Sequence, residues 1–214
     1  MIGAGLSGLT AAATLREAGA SVLVIEASTM IGGRIQALRE PEDNRALADL
    51  GPTWVWRKYQ PVAARWLEQL GVDTFDQFND GDAILEGYAP TLTRQPLPGQ
   101  EGMVRMIGGP SALIDALADS IGFANIRVSA KAVEISEQGK PHTSVLLSTG
   151  EILTARRVII AVPLRVAATT LRLPWASPAL MSAMRATPTW MSTHAKAVAL
   201  YNRPFWREIG RAHV

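Results

Sequence analysis

Three glycines at the start of the chain, Gly3, Gly5 and Gly8, are spaced as G-x-G-x-x-G, a pattern that can bind a ligand through the backbone. In this spacing the first glycine permits a tight turn, the second lets a pyrophosphate approach the backbone, and the third lets a helix pack against a strand. The helix that follows would present N–H groups, beginning at Leu6 and Ser7, and the positive end of its dipole to phosphates. These residues are therefore candidates for binding a nucleotide diphosphate.

The elements around the glycines favour the same interpretation. Residues 9–18 are rich in alanine and predict a helix that Gly19 ends, and residues 21–25 predict a parallel strand buried on both faces. Glu26 ends that strand, 18 residues after Gly8, where a carboxylate can accept hydrogen bonds from ribose hydroxyls. An isolated glutamate at a strand end is more often simply solvated, but the glycines, helix and strand in register favour ribose binding. A carboxylate here also disfavours the 2′-phosphate of NADP.

A second glycine turn, Gly32-Gly33-Arg34, follows soon after this acidic residue. An NAD-dependent dehydrogenase has no need of such a turn. At this point the sequence resembles the FAD-dependent amine oxidase superfamily, which includes monoamine oxidases, polyamine oxidases and L-amino acid oxidases. The resemblance implies FAD as the cofactor, with the turn bringing backbone and the arginine to its diphosphate. It also implies that Ala27 and Ser28, beside the ribose carboxylate, contact the cofactor.

A third segment, Asp49-Leu50-Gly51-Pro52-Thr53-Trp54, is similar to the family motif that runs past the flavin ring. The resemblance implies flavin contacts from Gly51, Pro52, Thr53 and Trp54. Pro52 stands where the family has a second glycine, so one backbone N–H is removed from this contact. Asp49 ends the strand predicted before the motif, and we expect it to order a turn rather than to act in catalysis.

Later segments extend the resemblance. Residues 126–135 and 144–153 predict strands, with turns marked by Gly139 and Gly150. Residues 157–163 predict a buried strand ending at a proline. This last strand is like the family's V-I-x-A-x-P signature beside the cofactor. In relatives the backbone of the strand that matches residues 126–135 meets adenine. The sequence does not determine the register of this strand, so both Ala132 and Val133 are candidates.

The residue of most chemical interest is a lysine near the end of the chain. Residues 193–201 alternate as a strand, which would place Lys196 on the face shared by Val198 and Leu200. A lysine in an apolar strand has two structural interpretations: a charge that protects a strand edge, or a side chain that snorkels to water. The segment also resembles the family strand whose lysine holds a water near N5 of the flavin, followed by a P-F-W segment. By this resemblance Lys196 is the candidate catalytic residue.

The composition limits what else the protein can be. Its 214 residues carry 21 Lys plus Arg against 19 Asp plus Glu, a net charge of +2, and 48% are hydrophobic. These values exclude a disordered chain and give no reason to expect a nucleic-acid or membrane partner. The chain has no cysteine and no metal-ligand spacing, so we expect no metal. Trp190 is expected in the core. For Trp56 two interpretations stay open, a place in the core and a place in the substrate site.

Nothing in the sequence predicts export or a membrane anchor. No apolar run approaches the roughly 18 residues of a membrane span. No basic leader precedes the first apolar residues, so they do not read as a signal peptide. A cytoplasmic location is therefore expected.

Together these features predict an α/β protein, with a Rossmann-like FAD-binding domain and a discontinuous, partial α+β substrate domain. We assign residues 1–73 and 111–185 to the first domain, and residues 74–110 and 186–208 to the second. Only two residues precede Gly3, so the first strand is expected to be largely missing, as is the family's C-terminal region. Residues 209–214 resemble a translated sequencing adapter and are expected to be a non-native tail.

The activity that the resemblance implies is oxidation of an amine by hydride transfer to flavin N5, with dioxygen reoxidising the flavin to give hydrogen peroxide. The partners would be a small-molecule amine and dioxygen. Three other interpretations stay open: a related flavoenzyme acting on C–C bonds, such as a carotenoid desaturase or protoporphyrinogen oxidase; an NAD-binding dehydrogenase; and a fragment that binds nucleotide without catalysis. The amine, covalent attachment of the flavin and the oligomeric state are left open.

Overall fold

A computed structural model describes residues 1–87, 89–96, 99–137, 142–203 and 205. The helices in these ranges are α1 (Leu6–Glu17), α2 (Pro61–Gln69), α3 (Pro110–Ile121), α4 (Leu164–Thr170) and α5 (Pro178–Ala186). The strands are β1 (Val24–Ile25), β2 (Ala37–Arg39), β3 (Ala46–Asp49), β4 (Trp54–Trp56), β5 (Thr74–Asp76), β6 (Ala83–Leu85), β7 (Thr93–Gln95), β8 (Met103–Met106), β9 (Ile126–Arg127), β10 (Ala132–Glu137), β11 (Thr143–Leu147) and β12 (Ile152–Ala155).

A small parallel sheet carries the glycine turn. Strand β1 pairs with β9, with Val24 opposite Ile126. On the other side of β1, Ile2 forms parallel bridges to both Ile25 and Ile160. Numbered along the chain, the four segments lie in the order 3-2-1-4, which is the order of a Rossmann sheet. The α/β architecture is thus the one predicted.

Apolar residues cover both faces of this sheet. Val24 belongs to a core formed with α1 and α3, which includes Leu9 and Leu117. The next residue, Ile25, belongs to a second core on the opposite face. Successive residues of a strand point to opposite faces, so one β-branched dipeptide serves two cores.

Antiparallel sheets surround the parallel one. Strands β10, β11 and β12 form a meander, and β4, β8 and β5 form a second three-stranded sheet with β8 in the middle. Strand β2 pairs with β3 and β6 pairs with β7. Val55, Val104 and Met106 point from the β4–β8–β5 sheet into the core around α1 and α3. The opposite face of that sheet is therefore turned away from this core.

The predicted helix after the glycines is confirmed. It is α1, which extends from Leu6 to Glu17, and Gly19 follows it with a φ of 81°. A positive φ is easily adopted only by glycine, so the helix ends where the sequence predicted.

Two strand predictions were wrong in extent. Residues 126–135 do not form one strand, because Ser129 has a φ of 53° and separates β9 from β10. A residue in the left-handed region turns the backbone out of the ladder. Residues 144–153 form two strands, β11 and β12, and the turn predicted at Gly150 is confirmed, with a φ of 88°. The turn predicted at Gly139 lies outside the described residues. The strand predicted over residues 21–25 is reduced to β1.

Two other strand predictions were wrong. Residues 157–163 form a single bridge at Ile160, and their apolar side chains are at most half-buried where burial on both faces was predicted, because Ile2 pairs with them on one side only within the described ranges. Residues 193–201 pair with no described strand, and the residues from 194 to 201 are exposed. An alternating pattern needs a partner strand to satisfy its N–H and C=O groups before it can form a sheet. The domain boundaries remain a prediction, and the tail predicted at residues 209–214 lies outside the described residues.

Candidate functional site

The glycine turn is built as the G-x-G-x-x-G spacing requires. A Cβ on Gly8 would strike the carbonyl oxygen of Gly3, so α1 can pack this closely only with glycine there. At Gly5 a Cβ would meet nothing nearer than Gly33 Cα at 4.0 Å. Gly5 is the N-cap of α1 and provides no side-chain cap. The first turn, with Leu6 and Ser7 exposed, is therefore open to an anion, and this cradle fits a cofactor diphosphate.

The carboxylate of Glu26 lies directly beside the turn. Its Oε2 accepts a hydrogen bond from the backbone N–H of Ala4 at 2.8 Å, and its Oε1 accepts one from Ser28 at 2.9 Å. These two bonds orient the carboxylate. Because each carboxylate oxygen has two acceptor sites, the group can still accept from ribose hydroxyls. Ala27 and Ser28, which follow Glu26, are exposed.

The second glycine turn packs onto the first. Gly32 bridges Gly5, and its N–H donates to the carbonyl of Ala4 at 2.7 Å. Gly32 and Gly33 have φ values of 100° and 59°. The exposed Arg34 donates from Nη1 to the carbonyl oxygen of Trp190 at 3.1 Å. The two turns that the sequence assigned to the diphosphate are thus in contact.

The segment assigned to the flavin ring, residues 49–54, contacts both Arg34 and Lys196. Leu50 donates its N–H to Gln36 at 2.9 Å, and a Cβ on Gly51 would strike the carbonyl of Arg34. Lys196 Nζ donates to the carbonyl of Gly51 at 2.7 Å and to Oγ1 of Thr53 at 2.8 Å. The structure therefore joins the residues predicted to face the flavin ring, although Lys196 does not lie on a strand.

The predicted adenine contacts lie at an irregularity of β10. The register between β10 and β11 shifts between Ala132 and Glu134, so Val133 occupies a bulge. Its carbonyl accepts a hydrogen bond from the N–H of Arg172 at 2.8 Å. Just before this strand, Ser129 donates to the carbonyl of Ser28 at 2.7 Å, which connects the start of β10 to the Glu26 segment. Both candidates remain, with Ala132 buried and Val133 half-buried.

The structure also places the three tryptophans and the aspartate that the sequence analysis considered. Trp190 was expected in the core, but it is 81% exposed, because residues 190–193 form a turn after α5 rather than packing under it. Trp56 donates from Nε1 to the carbonyl of Gly99 at 3.0 Å, and Trp54 donates to Oε1 of Gln77 at 3.0 Å. Asp49 ends β3 as predicted, and its side chain faces Arg105.

Sequence reasoning did not identify several supporting residues. The N–H of Ala4 orients Glu26, and the carbonyl of Trp190 binds Arg34. Ala161 and Val162 approach Gly3, where a Cβ would lie 2.9 Å from the carbonyl of Ala161. Backbone groups leave no signature in a sequence. Only the V-I-x-A-x-P resemblance pointed towards Ala161.

One ion pair near the parallel sheet has a clear electrostatic effect. Arg127 donates from Nη1 and Nη2 to the two oxygens of Glu151 at 2.8 and 2.7 Å. The hydrogen bond from Arg127 lowers the pKa of Glu151 below its ordinary value, and the same bond raises the pKa of Arg127. The pair connects β9 to the turn of the β11–β12 hairpin.

The described ranges are free of two further features, a cluster of metal-ligating side chains and a helix of membrane-spanning character. There, no three His, Asp or Glu side chains are grouped as a metal ion would need. None of the described helices combines the length and the apolar character needed to cross a membrane.

Comparison with known proteins gives a consistent picture. The model of the family described as flavin containing amine oxidoreductase matches residues 6–94 and 89–213. Putrescine oxidase of Kocuria rosea is 30% identical over 125 residues, which cover 57% of this chain and 25% of that protein. An L-amino-acid oxidase of Sistrurus catenatus edwardsii is 34% identical over 82 residues, covering 38% of this chain and 15% of that protein.

The solved structures agree on the fold. A structure of wild-type putrescine oxidase bound to putrescine superposes with a TM-score of 0.74 at 20% identity, covering 98% of this chain and 67% of that one. A structure of a single mutant of that enzyme superposes with a TM-score of 0.71 at 20% identity, and this chain covers 61% of it. The chain therefore spans about a quarter of the curated putrescine oxidase in sequence alignment and roughly two thirds of the solved chains in structure.

Proposed function

This chain belongs to the flavin-containing amine oxidoreductase family, and from that premise we propose that the whole protein oxidises a small-molecule amine with FAD and dioxygen. Its architecture is the Rossmann-like fold of that family, and its cofactor class is flavin. The chemistry that bound FAD would supply is acceptance of a hydride from the amine C–H and transfer of the electrons to dioxygen. The products would be hydrogen peroxide and an imine, and water would hydrolyse the imine.

The residues of this chain would hold the cofactor from two sides. The open N-terminus of α1, with the Gly32–Gly33 turn against it, would bind the diphosphate, and Arg34 lies beside this turn. Glu26, oriented by two backbone N–H groups, would accept hydrogen bonds from the ribose. Ala132 or Val133 would offer backbone to the adenine. These assignments follow the motifs and their geometry.

The observation that carries the proposal is the position of Lys196. Its amino group binds Gly51 and Thr53 in the motif assigned to the flavin ring, at 2.7 and 2.8 Å. Neither a strand-edge charge nor a snorkelling lysine requires contacts with that motif. We assign Lys196 the role of holding a water beside the reacting centre, and Thr53 the role of orienting the lysine.

The family match bears on the other interpretations. An NAD-binding dehydrogenase is not supported, because the matching family is flavin-containing. A flavoenzyme acting on C–C bonds is disfavoured, because the matching relatives are named as oxidases of amines and amino acids.

The test is made on the purified whole protein. Its visible absorbance should show flavin bands, anaerobic addition of amines should bleach them, and air should restore them with release of hydrogen peroxide. A colourless protein that binds NAD would overturn the proposal. A flavin-loaded protein that no amine or amino acid reduces would overturn amine oxidation while leaving the cofactor assignment in place.

The isolated residues 1–214 are proposed to bind FAD only weakly. Large apolar side chains such as Trp175, Ile159 and Trp190 are exposed in this chain, and exposed apolar surface favours association over a single folded state. A yellow, monomeric and cooperatively melting protein made of these residues alone would contradict this proposal.

A further inference from the structure

One face of the β4–β8–β5 sheet carries an arginine between two aromatic rings. Trp54 lies opposite Arg105, and Phe75 lies opposite Arg105 on the other side. Residues directly paired across antiparallel strands project to the same face, so these three side chains form one row. We call Trp54, Arg105 and Phe75 the aromatic row. It lies on the face opposite to the core residues Val55 and Val104.

Each member of the aromatic row is held in place. Arg105 Nη2 lies 3.5 Å from Oδ2 of Asp49, and its guanidinium carbon lies 5.9 Å from the centre of the Phe75 ring. The Trp54 ring is fixed by its hydrogen bond to Gln77. A guanidinium has five N–H donors in a rigid fork, so a single long contact to Asp49 positions the group without using the whole fork.

The exposed charge of this row is positive. The Asp49 side chain is only 8% exposed, whereas that of Arg105 is 40% exposed. A molecule arriving at this face therefore meets the guanidinium and the two rings, with the carboxylate behind them. A second ammonium group would be repelled by the guanidinium, whereas a carboxylate would form charge-assisted and geometrically matched hydrogen bonds.

The row also begins one residue after the proposed reacting centre along the chain. Thr53, the residue before Trp54, accepts the hydrogen bond of Lys196. Resting on the proposed function, we propose that the aromatic row recognises the non-reacting part of the substrate, and that the substrate class is amines that carry a carboxylate, as amino acids do. Arg105 binds the carboxylate, and Trp54 and Phe75 cover the apolar part. Diamines, which carry a second positive charge, are disfavoured.

The kinetic experiment compares matched substrates in the flavin-loaded whole protein. We measure kcat/KM for L-phenylalanine and for 2-phenylethylamine, which differs only by the carboxylate, in wild type, Arg105→Met and Arg105→Lys. The control is Arg94→Met, because Arg94 is an exposed arginine of β7 paired with Asp82. We expect Arg105→Met to lower kcat/KM for phenylalanine by about 10- to 100-fold, with little change for phenylethylamine or in the control. Arg105→Lys should keep the charge opposite Asp49 and lose less.

A binding measurement keeps this inference separate from the proposed function. The probe is 3-phenylpropanoate, titrated by calorimetry against the same proteins, with the neutral 2-phenylethanol as comparison. Carboxylate affinity that falls about tenfold or more in Arg105→Met, and by a smaller factor in Arg105→Lys, supports the inference even if no amine is oxidised. Should Arg105→Met fail to fold, the Arg105→Lys protein carries the comparison. Carboxylate affinity and amine preference unchanged in the folded variants would overturn it, while leaving amine oxidation intact.

Discussion

Lys196 and Thr53 are 143 positions apart in the chain, yet Nζ of Lys196 donates a hydrogen bond of 2.8 Å to Oγ1 of Thr53. The same amino group binds the carbonyl of Gly51 at 2.7 Å. These two contacts fix the end of a long, flexible side chain whose free rotation would otherwise oppose any defined role. They also connect the last described segment to the motif assigned to the flavin ring.

Replacing Lys196 with Met should impair flavin turnover while leaving the flavin content largely intact. Met matches the apolar stem of lysine in length but cannot donate a hydrogen bond. We expect reduction by substrate, reoxidation by dioxygen, or both, to slow by about 10- to 100-fold in the whole enzyme, the value of a hydrogen bond to a charged group. Stopped-flow absorbance measures both half-reactions. The control is Lys58→Met, at an exposed lysine over the ring of Tyr59. Two unchanged rate constants in a flavin-loaded Lys196→Met protein would return Lys196 to a structural role.

Replacing Thr53 with Val tests whether Thr53 orients the lysine. Valine keeps the branched shape and removes the hydroxyl, and the bond from Lys196 to Gly51 remains. We expect a smaller slowing than in Lys196→Met, and Thr53→Ser should restore most of the rate. In a double-mutant cycle, Thr53→Val should add little once Lys196 is Met. Fully additive effects would show that Thr53 acts independently of Lys196.

Glu26→Gln should weaken FAD binding more than it slows the chemical step. Glutamine keeps one acceptor oxygen, so only one of the bonds from Ala4 and Ser28 can be retained. Loss of charge-assisted bonds to ribose corresponds to about 1.5–3 kcal/mol, or roughly 10- to 100-fold in affinity. Titration of the flavin-free whole protein with FAD measures this directly. An affinity equal to wild type would remove Glu26 from the cofactor site.

The glycines of the first turn should separate folding from cofactor binding. Gly8→Ala places a Cβ against the carbonyl of Gly3, so we expect a loss of about 1–3 kcal/mol, which outweighs the 0.5–1 kcal/mol that alanine gains inside a helix. Gly5→Ala is the matched control for folding, because Gly5 has a φ of −76° and its nearest neighbour would be 4.0 Å away.

Gly5→Ala should therefore keep the unfolding midpoint and yet reduce FAD affinity, by about 10- to 100-fold, because the new methyl occupies the approach of the diphosphate. Denaturant unfolding of the flavin-free protein and FAD titration give the two readouts. Equal FAD affinity for Gly5→Ala and wild type would show that the diphosphate does not approach this glycine.

Acid should weaken the connection between β9 and the β11–β12 hairpin. Because Arg127 lowers the pKa of Glu151 in the folded state, the pair contributes stability above the ordinary carboxylate range near about pH 4 and loses it as the pH falls through the lowered value. Glu151→Gln should show a small loss of stability at neutral pH and a shallower fall in acid. Both groups are exposed, so the effect should shrink in high salt. Unfolding midpoints measured across pH and salt for both proteins check this.

Local sequence patterns were sufficient to predict the structure around the glycine turn. The helix after the glycines and its stop at Gly19 follow from steric rules that act within a few residues. An unbroken apolar run indicates that Val24 and Ile25 are buried on both faces, although distant segments supply the cover. The spacing of the motif likewise indicates that Glu26 lies beside the glycine turn.

Which distant segments meet depends on long-range packing, and the sequence alone did not predict it. An alternating pattern predicted a strand around Lys196, but a strand forms only where a partner accepts its hydrogen bonds, and none of the described segments does so. Ser129 interrupts a run that hydropathy alone predicts as one strand. The contact of Lys196 with Thr53, and the row that sets Arg105 between Trp54 and Phe75, depend on strand register across long stretches of chain. Register is set by packing against the rest of the fold, which no local pattern encodes.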